Sequence, residues 1–166
     1  MVKRFFDIFG ASIGFIFLII IWPFVAFAIV LNDGRPVLVK LLRVSEGRLI
    51  KVYKFRSMIR NAHKLKSGLI HLNERHDGPL FKIKNDPRLT KVGKWLRKFR
   101  LDEFPQFINV LKGEMSLVGP RPHEPEEVAA YPEEFKKLPM AKAGLTGLSQ
   151  VMGASALPFQ KELEYD

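Results

Sequence analysis

At 166 residues the chain has room for one domain with a modest core, and its formal charge of +10 implies an anionic partner: a phosphorylated substrate, an acidic membrane face or nucleic acid. It contains no cysteine, which excludes disulfides, thiolate metal sites and a cysteine nucleophile.

The residues from Ile8 to Leu31 carry no charge and are long and apolar enough to cross a bilayer core as a helix. Pro23, beside Trp22, falls past the middle of this run, where a proline removes one backbone hydrogen bond and predicts a bend. Two geometries follow: a kinked span, or a helix that enters, bends and leaves on the same side. Lys3 and Arg4 precede the segment and almost all other Lys and Arg follow it, which favours two cytoplasmic flanks and the second geometry. A cleavable signal peptide shares the basic start and apolar run, but here Asp7 stands just before the apolar core and the chain stays apolar from Ala28 to Leu31. A plain single-span anchor is the other alternative.

Val37 to Val44 and Leu49 to Phe55 are rich in aliphatic and aromatic residues, with Ser45-Glu-Gly-Arg48 between them, and predict a β-hairpin. Alternation sends Lys54 and Arg56 to one face and Tyr53 and Phe55 to the other. The cationic face either meets phosphates or lipid headgroups, or is simply solvated. Ile59 to Pro79 is polar and predicts a helix and a mobile loop; His63, His71 and His76 match no metal-pair spacing. Lys82 to Arg100 is strongly basic, with Asp86 its single acid, and with Phe81, Trp95 and Phe99 interleaved it suits nucleic acid or an anionic membrane surface, or is an ordinary solvated or headgroup-facing helix.

Beyond Arg100, apolar residues at Leu101, Phe104, Phe107, Ile108 and Leu111 predict an amphipathic helix of about three turns that stops at Gly113. Pro105 is tolerable only near its start, so Asp102 and Glu103 belong to the first turn. The positive end of the helix, with Arg97 and Arg100, would keep at least one carboxylate ionised. An ionised aspartate can attack phosphorus or hold Mg²⁺; acids at a helix start are also common as mere dipole partners. In Gly119-Pro-Arg-Pro122 the prolines stiffen the backbone around Arg121, which suits bidentate phosphate binding or only ends an element. Glu124, Glu126, Glu127, Glu133 and Glu134 predict an acidic surface patch able to pair with the basic run.

Five segments in order, Lys3-Arg4-Phe5-Phe6-Asp7, Tyr53 to Met58, Asp86 to Gly93, Leu101 to Gln106 and Met115 to Pro122, resemble the bacterial sugar transferase family. These are monotopic polyprenyl-phosphate phosphoglycosyltransferases. The resemblance implies an α/β, helix-rich catalytic domain with a small β-hairpin element and amphipathic interfacial helices. A re-entrant helix over residues 1–34, bent at Trp22 and Pro23, would hold domain 35–166 on the cytoplasmic face of the bacterial inner membrane. It also implies a catalytic dyad at Asp102 and Glu103. Asp102 would attack a UDP-sugar, release UMP and pass the sugar 1-phosphate to undecaprenyl phosphate, with Mg²⁺ bridging the diphosphate and the dyad. Arg97 and Arg121 would bind phosphate, and Lys54 and Arg56 are candidates for the same task. No nucleic acid is expected as partner.

Three departures from the family pattern carry expectations. Arg100 replaces a Ser or Thr that would cap the dyad helix, leaving the cap to come from elsewhere, as from Asp102 itself. Gly144 to Ser155 lacks the tryptophan and arginine of the corresponding family segment, which weakens nucleotide or sugar binding there. Relatives continue past Asp166 into further helices. The non-enzymatic alternative is an inactive, basic, membrane-anchored adaptor on the same scaffold.

Overall fold

The computed structural model of the chain describes residues 2–153 and 156–166 and begins with one helix, α1 (Val2–Asp33). Ala154 and Ser155, which end the glycine-containing segment singled out above, lie outside the described residues. At 1.5 Å per residue α1 is about 48 Å long and runs on through Pro23. Its buried residues Asp7, Ala11, Gly14, Leu18, Val25 and Ile29 recur at helical spacing and form one stripe against the rest of the protein. Phe5, Phe9, Ile16, Ile20, Phe24 and Phe27 stay exposed on its other sides. By length and composition α1 is able to cross a membrane.

Both ends of α1 are tied to the same body. Arg4 donates from Nη1 and Nη2 to the carbonyls of Val110 and Leu111, at 2.6 and 2.8 Å, at the C-terminus of α3 (Phe107–Lys112), where a cation complements the helix dipole. The Asp7 carboxylate accepts from Ser116 Oγ and the Leu117 amide, both at 2.8 Å. At the far end Asp33 pairs with Arg56 at 3.1 Å.

The hairpin forms as expected, β1 (Leu38–Ser45) pairing antiparallel with β2 (Arg48–Phe55). Glu46 and Gly47 make its two-residue turn with φ of 50° and 67°, the sign of twist that right-handed strands require. Phe55 packs beneath Trp22, ring centroids 5.2 Å apart, and joins Leu18, Ile29 and Leu96 in the core. A second cluster centres on Ala11, Val52, Val110 and Met115, and a third on Leu80, Tyr131, Phe159 and Leu163.

Elsewhere the elements are shorter than the sequence suggests. The helix expected after Ile59 is two 3-10 helices, Ala62–Leu65 and Ser67–Leu72, in which only Ala62 is buried. Without an apolar stripe to bury, a full α-helix has no packing to stabilise it there. The basic run is helical only as α2 (Lys91–Lys98), capped by Thr90, whose Oγ1 accepts from the Gly93 amide at 2.9 Å. The dyad helix also divides: Leu101–Gln106 is a 3-10 helix, followed by α3. Arg100 enters it with a left-handed φ of 54°, no side chain caps it, and Pro105 has no amide to donate. Gly113, at φ 82°, ends α3 as expected. Two three-residue strands, β3 (Ser116–Val118) and β4 (Gly144–Thr146), pair in parallel. Three short α-helices, α4 (Pro125–Ala129), α5 (Leu148–Met152) and α6 (Phe159–Tyr165), and two 3-10 turns, Glu133–Phe135 and Leu138–Met140, complete the described elements. Glu124, expected to face the basic run, pairs instead with Arg43 and Lys66 at 3.3 and 3.0 Å.

Gly93 is where α2 docks on the exit of β2. A Cβ there would lie 1.8 Å from the Ser57 carbonyl oxygen, a backbone atom that cannot swing away. Gly93→Ala is therefore expected to destabilise the fold by about 3 kcal/mol or more, at the upper end of overpacking costs, read as a fall in Tm or loss of soluble protein. An unchanged Tm would show that α2 can shift freely.

Candidate active site

Buried Asn109 fixes the two walls that carry the candidate residues. From α3, its Nδ2 donates to the Lys51 carbonyl at 2.8 Å and to Glu114 Oε2 at 2.6 Å, while its Oδ1 accepts from the Tyr53 amide at 3.0 Å. The middle of β2 is thereby held against α3, which directly follows the 3-10 helix. Lys54 then reaches Glu103, Nζ to Oε1 at 2.6 Å.

Lys54, Arg97, Asp102, Glu103 and Arg121 line one cleft of about 850 Å³, walled also by the segment from Met58 to Ile83. Among its charged lining residues, cationic side chains outnumber acidic ones two to one, which suits a ligand with more than one negative charge. Asp102 is buried. Burial pushes its carboxyl above the ordinary value; Lys54 and Arg97 oppose that and Glu103 reinforces it. Burial also raises Glu103, but Lys54, Arg121 and Arg100 outweigh it and hold Glu103 below the ordinary value. Two adjacent carboxylates are thus pushed apart, one kept ionised and the other prone to bind a proton or a cation. The ionised member matches the expectation of at least one charge; Lys54, which that expectation did not include, leads in holding it, and the expected Arg100 contributes.

Arg97 is exposed and donates from Nε to Ser57 Oγ at 3.0 Å. The Arg121 amide donates to Asp166 Oδ2 at 3.2 Å, and its guanidinium lies 3.9 Å from Glu162. Arg56 lines the same cleft but is engaged elsewhere. Its Nη2 donates to the carbonyls of Asp33 and Gly34 at 2.8 and 2.5 Å, so it serves the end of α1. Trp22 and Pro23 lie on α1 and are not among the cleft-lining residues; Trp22 packs in the apolar cluster that also takes in Leu101 and Phe104.

Several polar groups on the cleft wall carried no separate notice in the sequence. Arg88 grips Asp86 through Nε and Nη2 at 2.9 and 2.6 Å, both buried, and this holds Asp86 below the ordinary carboxylate value. The signal was local: Asp86 Oδ1 also accepts from the Arg88 amide two residues on, a turn that Asp-Pro favours. Fully buried Glu162 accepts from Arg75 at 2.9 Å and could not have been found, since the two are 87 residues apart.

Among the described residues no three His, Asp or Glu side chains gather into a metal cage. Two carboxylates facing a phosphate ligand are nonetheless a donor set of the kind Mg²⁺ takes, with the ligand's oxygens and water filling its shell.

A profile of the family described as bacterial sugar transferase matches residues 1–166. The chain belongs to the bacterial sugar transferase family. Among curated members, "Galactosyl transferase CpsE" of Streptococcus agalactiae is 45% identical over 91% of this chain and 33% of its own length. "Undecaprenyl-phosphate galactose phosphotransferase" of Salmonella typhimurium is 41% identical over 82% of this chain and 30% of its own length. "Exopolysaccharide production protein ExoY" of Rhizobium meliloti is 32% identical over 100% of this chain and 75% of its own length. The chain therefore spans about a third of the first two relatives and most of the third.

Proposed function

We propose that this chain transfers a sugar 1-phosphate from a UDP-sugar to undecaprenyl phosphate, releasing UMP, as a first membrane step of bacterial polysaccharide synthesis. The observation that carries this is the Asp102–Glu103 pair on the wall of a large, predominantly cationic cleft. The Salmonella typhimurium relative is named for undecaprenyl phosphate, as is "UDP-glucose:undecaprenyl-phosphate glucose-1-phosphate transferase" of Klebsiella pneumoniae, 37% identical over 99% of this chain and 35% of its own length, whose name also gives UDP-glucose as donor. Arg97, Arg121 and Lys54 orient the donor diphosphate and neutralise its charge, which leaves little for the protein to add beyond a nucleophile. An Asp102 carboxylate oxygen attacks the sugar-linked phosphorus. The phosphorus–oxygen bond to UMP breaks, UMP departs with the electron pair, and an aspartyl phosphosugar remains. A phosphate oxygen of undecaprenyl phosphate then attacks the same phosphorus and frees Asp102, giving the polyprenyl diphosphate sugar. Asp102 and Glu103 would hold Mg²⁺, which supplies charge neutralisation for the diphosphate when bound.

The test omits the acceptor. With UDP-sugars supplied one at a time and Mg²⁺ present, the purified protein should release UMP in a burst no larger than the enzyme present. A peptide containing Asp102 should gain the mass of a sugar phosphate. Steady UMP release only when undecaprenyl phosphate is added, with no burst, would replace the two-step route by direct transfer.

In the membrane α1 enters and leaves on the cytoplasmic side, bent at Trp22 and Pro23. Support comes from its two ends, which contact one body through Arg4 and Arg56, whereas a straight span would separate them by the bilayer. Because the chain has no cysteine, single cysteines at Val2 and Arg35 give a clean readout. Both should react with a membrane-impermeant maleimide from the cytoplasmic side only; opposite-side labelling would establish a true span.

A further inference from the structure

We infer that Ser57 is a positioning residue that fixes which edge of the Arg97 guanidinium meets the donor phosphate, an assignment that rests on the phosphotransfer reading above. A guanidinium has two edges that present paired N–H groups to two oxygens, one using Nε and one using only the Nη groups. Ser57 Oγ accepts the Arg97 Nε proton at 3.0 Å, which occupies the first edge. The Nη groups of Arg97 have no hydrogen-bond or ion-pair partner among the described residues and stand on the cleft wall beside the dyad. Only the second edge is left for a ligand.

Ser57 is itself held rigidly, as a positioning group must be. It is buried at 7% exposure, its carbonyl accepts from the Thr90 amide at 3.2 Å, and Gly93 lies against that carbonyl. The same helix, α2, that docks on the Ser57 backbone carries Arg97 one turn further on and returns it to the Ser57 side chain. Strand exit, helix cap and guanidinium therefore form one closed unit. Loss of the hydroxyl would leave Arg97 free to rotate about its last side-chain bonds and to present either edge.

The test compares Ser57→Thr with Ser57→Val, which share a shape and differ in the hydroxyl, each in the wild-type and Arg97→Lys backgrounds. Ser57→Thr should stay within about twofold of wild type, while Ser57→Val should lose about tenfold in kcat/KM for the UDP-sugar at unchanged Tm. In the Arg97→Lys background, where no fork exists to be oriented, the two should agree within about twofold. Equal losses in both backgrounds, or no loss from Val, would overturn the assignment. Should the branched side chains not fold, Ser57→Ala against wild type supplies the same comparison. If wild type turns over no UDP-sugar, or Arg97→Lys is too slow to assay, the set is titrated with inorganic pyrophosphate. A Thr–Val difference in affinity that vanishes with Arg97→Lys then keeps the Ser57 assignment even where the transfer reading has fallen, and an undiminished difference, or none, removes it.

Discussion

Asp102→Asn should abolish UMP release, on the order of 10⁴-fold or more in kcat, and yet yield a more stable protein at neutral pH. The first effect follows from losing the attacking carboxylate oxygen: an amide has the shape but not the nucleophile. The second follows from linkage. Burial holds the Asp102 carboxyl above its ordinary value, so the folded protein binds that proton more tightly than the unfolded chain. Its stabilising contribution is complete below the ordinary carboxylate value and is lost as pH rises through the folded value. At neutral pH the wild type consequently carries an ionised carboxylate in a place that disfavours it, and asparagine removes that cost. The gain should appear as a Tm increase of a few degrees near about pH 7 that shrinks toward zero at about pH 3, since each kcal/mol moves Tm by about 2–4 °C for a chain of this size. Retained UMP release would remove Asp102 from the mechanism. A lower Tm at neutral pH would show that its ionised form is accommodated after all.

That trade-off is a property of position, and position was only partly legible in the sequence. The hairpin could be read because Gly47 is a local device: a glycine free to adopt positive φ in a short turn between two runs rich in aliphatic and aromatic residues. The apolar length of α1 and the stop at Gly113 were legible for the same reason. The 3-10 helix that carries the dyad was not. Its apolar residues fit the α period as well, and the left-handed Arg100 that sets the turn has no residue-type signal of the kind a glycine would give. The parallel pair β3 and β4 escaped because strands of three residues are too short to show alternation.

For the candidate site, residue types were legible and partners were not. Asp102, Glu103, Lys54, Arg97 and Arg121 do line one cleft. Alternation along β2 put Arg56 beside Lys54 and both line that cleft, but what alternation did not reveal is that Arg56 also bonds the end of α1 through Nη2. Lys54 with Glu103 and Ser57 with Arg97 are separated by 49 and 40 residues, and pairing over such distances is set by how α3 and α2 dock, which Asn109 and Gly93 decide. Neither Asn109 nor Gly93 advertises that task by type.

Lys54 is the group on which both carboxylates depend, and its removal should move the pH dependence of the reaction. It is the foremost charge lowering Asp102 and also the foremost charge lowering Glu103. In Lys54→Met both carboxyls rise, so the acidic limb of the kcat/KM profile shifts to higher pH. At neutral pH the loss should be about 10- to 100-fold, the worth of a charge-assisted hydrogen bond at 2.6 Å together with its field on Asp102, and part of it should return at about pH 9. Stability should follow with the opposite sign from Asp102→Asn. Glu103 is held below its ordinary value in the wild type, so its contribution is present above that value and disappears as pH falls through the folded one. Lys54→Met forfeits it, and the Tm gap to wild type should widen from acid to neutral pH. Lys54→Arg keeps the charge and should leave the acidic limb where it was. A Met variant with an unshifted limb but the same loss at every pH would mean that Lys54 acts on the donor phosphate alone, leaving the ionisation of the dyad to Arg97 and Arg121.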